Sequence, residues 1–462
     1  MLATLVLSFP DPQQFRKQRI YQVLTDRFAG GNDCKDKSSY CLGNLKSLTG
    51  KLDYIKNLGY TTIWISPTVQ QAEGPKVQYK GYWPSDFYKT NPNQGSDQDL
   101  KDLVAEAHKL NLFVISDVNY NNVGQCKDSK VSCITTFPLD EYYHSNCIVT
   151  RFSNITQLEQ CRVDGSPDLD QDHPYVLQEL LDWTAWYQNE FNFDGFRIGF
   201  AKNVGHKFWK AFRQVSPWFT IGSAQNATYD ELKNYTDQEL YTTFNEPLFQ
   251  AINNVFGYKN QSMHLLSEAF EQAALTFGDN VKDLGIYLDN HDTDRFLITI
   301  DMDDMKFQNG IVLLHTWIGI PVLYYGTEQE IFGSNQSNQN NEAMWTLMYD
   351  YDDTSRFYEL IKKLNDMRDK IKIDKIDQKE LMVAQNFYAY VRGNQMLVVL
   401  TQQGYDYTEK QIYHRVHNSP FESNSRICDI LSNECINVND DQSVDIYLID
   451  GQARVYVRES LM

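Results

Sequence analysis

Residues 175–199 read Tyr175-Val-Leu-Gln-Glu-Leu-Leu-Asp-Trp-Thr-Ala-Trp-Tyr-Gln-Asn-Glu-Phe-Asn-Phe-Asp-Gly-Phe-Arg-Ile-Gly199, and this stretch decides the fold. It predicts a long helix over Tyr175–Phe191 and, after a short turn, a strand over Gly195–Gly199. Working outward in both directions, the same alternation recurs. Strand-like runs are Arg19–Leu24, Thr61–Ser66, Leu112–Asp117, Trp218–Gly222, Gly285–Leu288 and Pro321–Tyr324. Between them, Leu45, Leu48, Leu52, Ile55 and Leu58 recur at helical spacing, with Gly59 placed to cap. Leu100, Leu103, Val104, Ala107 and Leu110 mark another helix, opened by Ser96 and Asp99 in the pattern of a capping box.

Alternation of this kind means βαβ units and a parallel sheet. Its extent favours a closed (β/α)8 TIM barrel over an open sheet, although periodicity alone does not separate the two. Two regions break the rhythm. The stretch from Asn119 to Asp170 is loop-rich and carries four of the eight cysteines, so it is read as an excursion after the third strand. Beyond Ile373 the pattern becomes two-residue alternation, as in Phe387–Leu400 and Arg454–Val457, and predicts a small antiparallel β-sandwich domain. The expected division is a barrel over 1–118 and 171–372, an inserted domain over 119–170 and a C-terminal domain over 373–462.

Composition narrows the function. The chain has 462 residues, 42% hydrophobic and 13% aromatic, which places it among globular rather than disordered chains. Its formal charge of −19, from 61 acidic and 42 basic residues, argues against nucleic acid and anionic membrane as partners. The cysteines fall into four local pairs, Cys34/Cys41, Cys126/Cys133, Cys147/Cys161 and Cys428/Cys435, none with zinc-site spacing. Together with N-x-S/T sequons at Asn154, Asn226, Asn234, Asn260 and Asn335 they favour the secretory route. The apolar start, Met1–Ser8, is read as the tail of a signal peptide, and no run approaches the ~20 apolar residues of a membrane span.

Six runs carry a family resemblance: Ile20–Phe28, Thr62–Pro67, Gly81-Tyr-Trp83, Asp117-Val-Asn-Tyr-Asn121, Asp194-Gly-Phe-Arg-Ile198 and Leu288-Asp-Asn-His-Asp292. In this order and spacing the chain resembles glycoside hydrolase family 13, and most of all the fungal secreted α-amylases. The resemblance implies retaining hydrolysis of α-1,4-glucosidic bonds by a carboxylate nucleophile and a carboxyl acid/base about 5 Å apart. It also implies that these groups sit at the C-terminal ends of barrel strands.

The residues at those positions depart from the pattern. The resemblance puts the nucleophile at Gly199, which has no side chain, and the acid/base at Ser223, whose hydroxyl cannot protonate a leaving oxygen usefully near neutrality. Of the catalytic carboxylates only Asp292 remains, beside His291. Further substrate positions read Lys80, Asn122 and Asn203 where the family has histidine, and Ser337 and Asn341 where it has Asp and Arg; Lys202 persists. Loss of a nucleophile that acts with its partners as a unit costs on the order of 10⁴–10⁶ in rate. Catalytic inactivity toward α-glucan is therefore expected.

Other positions retain possible roles. Tyr82 and Trp83 match a sugar-stacking platform. Arg197, which in the family orients the nucleophile, is expected to pair with Asp292 instead, and Asp117 to anchor the end of the third strand. The resemblance further implies a structural Ca²⁺ held by Asn121, Glu159, Asp168 and the backbone carbonyl of Asn203, an oxygen-only set that suits this ion. Three functions remain in competition: an inactive secreted module that holds a glycan or a protein partner, a glycosidase with atypical catalytic groups, and a structural subunit of an extracellular assembly. Binding without cleavage, cleavage, or neither with co-purifying partners would distinguish them.

Overall fold

The computed structural model describes residues 10–74, 78–128, 130–257, 259–334, 339–346, 350–405 and 411–462. The readings placed on Met1–Ser8, on the Asn335 sequon and on Ser337 lie outside the described residues. Eight parallel strands alternate with helices: β1 (Ile20–Val23), β2 (Thr62–Ile65), β3 (Phe113–Asn119), β4 (Gly195–Gly199), β5 (Phe219–Gly222), β6 (Thr242–Thr243), β7 (Gly285–Tyr287) and β8 (Ile320–Tyr324). Their order in the sheet is β6-β5-β4-β3-β2-β1-β8-β7, the (β/α)8 TIM-barrel arrangement. The chain divides into two compact units: Met1–Lys56, Tyr60–Phe244 and Asn341–Tyr351 form one, and Asn57–Gly59, Asn245–Asn340 and Asp352–Met462 the other.

In the first unit the strands are short and buried on both faces, as a helix-covered parallel sheet requires. Register sets which side chains meet. Asp117 lies opposite Arg197 and Asn119 opposite Gly199 across β3 and β4, and Ile198 lies opposite Gly222 across β4 and β5. Because side chains alternate along a strand, Arg197 and Gly199 share one face while Phe196 and Ile198 share the other. Phe196 packs on the outer layer, stacked with Tyr187 of helix Pro174–Phe191 and edge-on to Trp218. On the inner face, Phe15 from the short helix Pro12–Lys17 stacks on Phe219 at 3.7 Å and lies 5.3 Å from Phe113, at the starts of β5 and β3.

Local signals act as read, with two exceptions. Ser96 and Asp99 form a complete capping box at the start of helix Asp97–Lys109. The periodic run from Leu45 breaks into two helices, Leu45–Thr49 and Leu52–Asn57, because the first ends at Gly50. A ribbon of Val69–Gln71 paired with Pro84–Thr90 was not anticipated, since it opens on a proline and its register shifts twice. It supports the excursion after β3: the Gly124 N–H donates to the Pro84 carbonyl at 2.9 Å and the Thr135 N–H to that of Ser85 at 2.8 Å. The excursion carries the helix Ile155–Gln160 and disulfides Cys126–Cys133 and Cys147–Cys161. Cys34–Cys41 and Cys428–Cys435 are also bonded, so all four local pairs form. Among the described residues no helix is long and apolar enough to cross a membrane.

The second unit ends in an antiparallel domain. Its strands are β9 (Gln378–Ala384), β10 (Phe387–Arg392), β11 (Met396–Leu400), β12 (Gln411–Val416), β13 (Arg426–Asp429), β14 (Cys435–Asn437), β15 (Val444–Ile449) and β16 (Arg454–Arg458). They form a six-stranded sheet, β9-β10-β11-β16-β13-β14, and a two-stranded sheet, β12-β15. Phe387, Leu397 and Val399 from one sheet and Ile412, Val444 and Ile446 from the other enclose a common apolar core, which makes the domain a sandwich.

Asp429 holds this domain's largest sheet together. It is fully buried and accepts hydrogen bonds from the Val455 N–H at 2.9 Å and the Ser432 hydroxyl at 2.8 Å, and it pairs with Arg454 at 3.0 Å. Replacing one partner of such a pair strands a buried charge. Asp429→Ala is expected to destabilise the protein by about 3–5 kcal/mol, measured as a lowered urea midpoint, whereas Asp441→Ala on an exposed turn should leave the midpoint nearly unchanged.

Candidate functional site

The C-terminal ends of β3, β4 and β5 hold most of the residues that the sequence singles out. At their centre is Asp117, 2% exposed. It accepts hydrogen bonds from the Trp64 indole at 3.0 Å, from the Tyr82 hydroxyl at 2.5 Å and from Arg197 Nη1 at 3.1 Å. Arg197 Nη1 also donates to the Tyr82 hydroxyl at 3.0 Å, and its guanidinium lies 5.0 Å from the Trp64 ring centre. Arg197 forms an ion pair with Asp117 at 3.1 Å. The cause is register: Asp117 stands directly opposite Arg197 on the neighbouring strand.

Gly199 closes β4 beside this network. A Cβ there would lie 3.1 Å from Arg197 Nη1, 3.3 Å from Tyr82 Cε1 and 3.4 Å from the Val118 carbonyl. Any larger side chain must therefore displace Tyr82 or Arg197 by some tenths of an ångström. The next residue, Phe200, sits at φ +55° and turns the chain sharply into Ala201–Asn203, which brings its ring edge-on to Tyr82 at 5.9 Å. Tyr82 is half-buried, whereas Trp83 is only 6% exposed, with its ring packed on Gly74. Of the two expected platform residues, Tyr82 thus retains the greater access.

Ser223 follows β5 and is 8% exposed. Its N–H donates to the Ile198 carbonyl at 2.9 Å and its carbonyl accepts from the Ala201 N–H at 3.1 Å. The nearest carboxylate downstream with a defined partner, Glu231, belongs to the capping box of helix Tyr229–Gln238. It accepts from the Thr228 N–H at 2.7 Å and pairs with Lys202 at 3.2 Å. Burial pushes the Glu231 carboxyl up, but these two partners outweigh it and hold the group below its ordinary range. Glu231 is therefore an ionised structural group, and Lys202 is its partner.

In the second unit, His291 is buried and its Nε2 lies 3.1 Å from Asp292 Oδ2. Their loop is fixed from both sides. The Asp292 N–H donates to Asn290 Oδ1 at 2.8 Å, and Asn340 Nδ2 donates to the His291 carbonyl at 3.2 Å. Asp289, to which the sequence gave no role, is buried, accepts from the Phe296 N–H at 2.8 Å and has its pKa raised by burial against the opposing charge of Arg295.

A second cluster lies in the excursion. Asp168 is fully buried, and burial raises its pKa to about 7 against the pull of His144, Arg162 and Asn121. One carboxylate oxygen faces His144 Nδ1 at 2.7 Å; the other, Oδ1, is buried without a hydrogen bond. Asn121 is fully buried with neither side-chain polar atom bonded, although its amide lies close enough to act on Asp168. Glu159 and His144 line one small cavity with Gln171 and Asp172, and burial raises the Glu159 carboxyl. Asn203 reaches the same helix through Nδ2, which donates to the Leu158 carbonyl at 3.3 Å. Buried oxygens lacking donors, with carboxyls pushed up by desolvation, are what a cation-binding set looks like with no positive charge among its ligands. The four residues fit a hard divalent ion. Sequence reading missed His144, whose only signal was its place in the cysteine-bearing excursion.

Comparison with known proteins agrees with this geometry. The model of the α-amylase catalytic domain matches residues 22–369, and that of α-amylase domain C matches residues 377–462. The chain is 28% identical to α-amylase 1 of Schwanniomyces occidentalis, over 97% of its own length and 91% of that protein's. It is 30% identical to the α-amylase of Saccharomycopsis fibuligera, over 79% and 78%. Among solved structures, an α-amylase from Malbranchea cinnamomea superposes with a TM-score of 0.91 at 27% identity, covering 98% of both chains. The chain belongs to the α-amylase family of glycoside hydrolases.

Proposed function

We propose that this chain is a secreted member of its family that holds an α-glucan or a related glycan, or a protein partner, without hydrolysing it. The observation that carries the reading is at Gly199: no oxyanion is available at the end of β4, and the adjoining space is occupied by Tyr82, bonded to Asp117 and Arg197. Ser223 supplies no acid at the end of β5, and Glu231 is engaged as a helix cap and as the partner of Lys202. Without a group to bond the anomeric carbon and another to protonate the leaving oxygen, the two-step retaining reaction has no first step. Tyr82 offers a partly open ring for a sugar face, and Lys202 a polar contact. The paired cysteines and the exposed sequons at Asn154, Asn226, Asn234 and Asn260 support secretion of a glycosylated protein.

A second reading, a working α-amylase with unusual catalytic groups, is favoured by the retained His291–Asp292 pair and by the family's activity. Calorimetric titration with maltoheptaose, run beside a reducing-sugar assay on starch, separates the two. Binding without release of reducing ends is expected. Cleavage that disappears in an Asp292→Ala variant would overturn the inactive reading in favour of the second.

We further propose that Asn121, Glu159, Asp168 and the carbonyl of Asn203 hold a structural Ca²⁺, supported by the buried oxygens of Asn121 and Asp168 that lack donors. The ion would join the excursion to the ends of β3 and β4 and take no part in bond-making. A bound ion stabilises by mass action, about 2.7 kcal/mol at a free concentration one hundred times Kd. Chelation is expected to lower the melting temperature by several degrees, and added Ca²⁺ to restore it. Asp168→Ala should melt at the same temperature with and without chelator; a chelator effect that survives this substitution would place the ion elsewhere.

A further inference from the structure

We propose that Asn226 is N-glycosylated and that its glycan stands over the ends of β4 and β5, shielding the edge that carries Gly199 and Ser223. The sequon Asn226-Ala-Thr228 starts three residues beyond Ser223. At most about 11 Å of chain therefore separates the two α-carbons. Ser223 is itself bonded to the end of β4 through Ile198 and Ala201. The chain then reverses, closed by the Ala227 N–H donating to the Ala224 carbonyl at 3.2 Å.

This turn aims Asn226 outward. Ala224 and Ala227 are buried, Gln225 and Asn226 are exposed, and Asn226 takes φ +55°, a conformation that asparagine adopts more readily than most residues. Both ends of the turn are anchored. Ser223 holds one, and the Thr228 cap holds the other through Glu231 and Lys202. A group attached to Asn226 thus has a fixed point of departure beside the strand ends. The other described sequons lie elsewhere: Asn154 caps a helix of the excursion, Asn234 lies on helix Tyr229–Gln238, and Asn260 is held by Lys306. Asn226 alone among them follows directly on a barrel strand.

The modification uses a lipid-diphosphate-linked oligosaccharide and a transferase of the secretory lumen. The bond between the sugar's anomeric carbon and the diphosphate oxygen breaks, and a bond from that carbon to Asn226 Nδ2 forms. The amide gives up one proton, and the lipid diphosphate leaves with the electron pair. The inference rests on the secretory reading above.

The full chain secreted from a glycosylating host tests the modification. Enzymatic release of N-glycans in heavy-oxygen water converts an occupied asparagine to labelled aspartate, and mass spectrometry of the peptide containing Asn226 is expected to show the label. An unlabelled Asn226 beside labelled Asn154, Asn234 or Asn260 overturns the inference and leaves secretion intact. An absence of label at every one of these positions overturns both. For the shield, maltoheptaose is titrated into the glycosylated protein, into the same protein after enzymatic deglycosylation in the folded state, and into Asn226→Gln. Both glycan-free forms are expected to bind at least about tenfold more tightly. Equal binding, or none by any form, overturns the shielding role.

Discussion

A single buried carboxylate organises the upper end of the first unit. Asp117 receives donors from three different segments: Trp64 on β2, Tyr82 from the ribbon region and Arg197 on β4. A carboxylate in such surroundings is tolerated only when its lone pairs are met, and an arginine only when its charge is answered. Each therefore fixes the other, and the tyrosine between them has no freedom to swing. The arrangement is a structural clamp made from residue types that elsewhere do chemistry. It explains how the strand ends stay ordered although Gly199 contributes nothing beyond backbone.

The two clusters of the first unit differ in how their carboxylates are met. Around Asp117 the carboxylate charge is answered by Arg197. Around Asp168 the carboxylate faces His144 and the charge of Arg162, yet its Oδ1 and the Asn121 amide are buried without hydrogen bonds.

Much of this was legible in the chain. Strand Gly195–Gly199, helix Tyr175–Phe191 and the capping box at Ser96 follow from local pattern, and they form as read because burial on both faces and cap chemistry act over a few residues. The two-residue strand β6 was invisible, since no periodicity exists over Thr242–Thr243. The ribbon at Pro84 was hidden by its proline and its irregular register. The bond between Arg197 and Asp117 could not be read from spacing, because the two lie eighty residues apart and meet only once the sheet assembles. His144 was missed for a similar reason: its importance comes from a carboxylate that only folding brings alongside.

The crowding at Gly199 has a corollary for substitution. Where a lost side chain leaves an empty socket, one back-mutation suffices to refill it. Here the neighbouring tyrosine and guanidinium have closed in, so a new carboxylate at this position would arrive among atoms already committed to one another. That side chain requires Tyr82 or Arg197 to give by a few tenths of an ångström. Such a position accepts a side chain only as far as the tyrosine ring and the guanidinium can yield without breaking their bonds to Asp117.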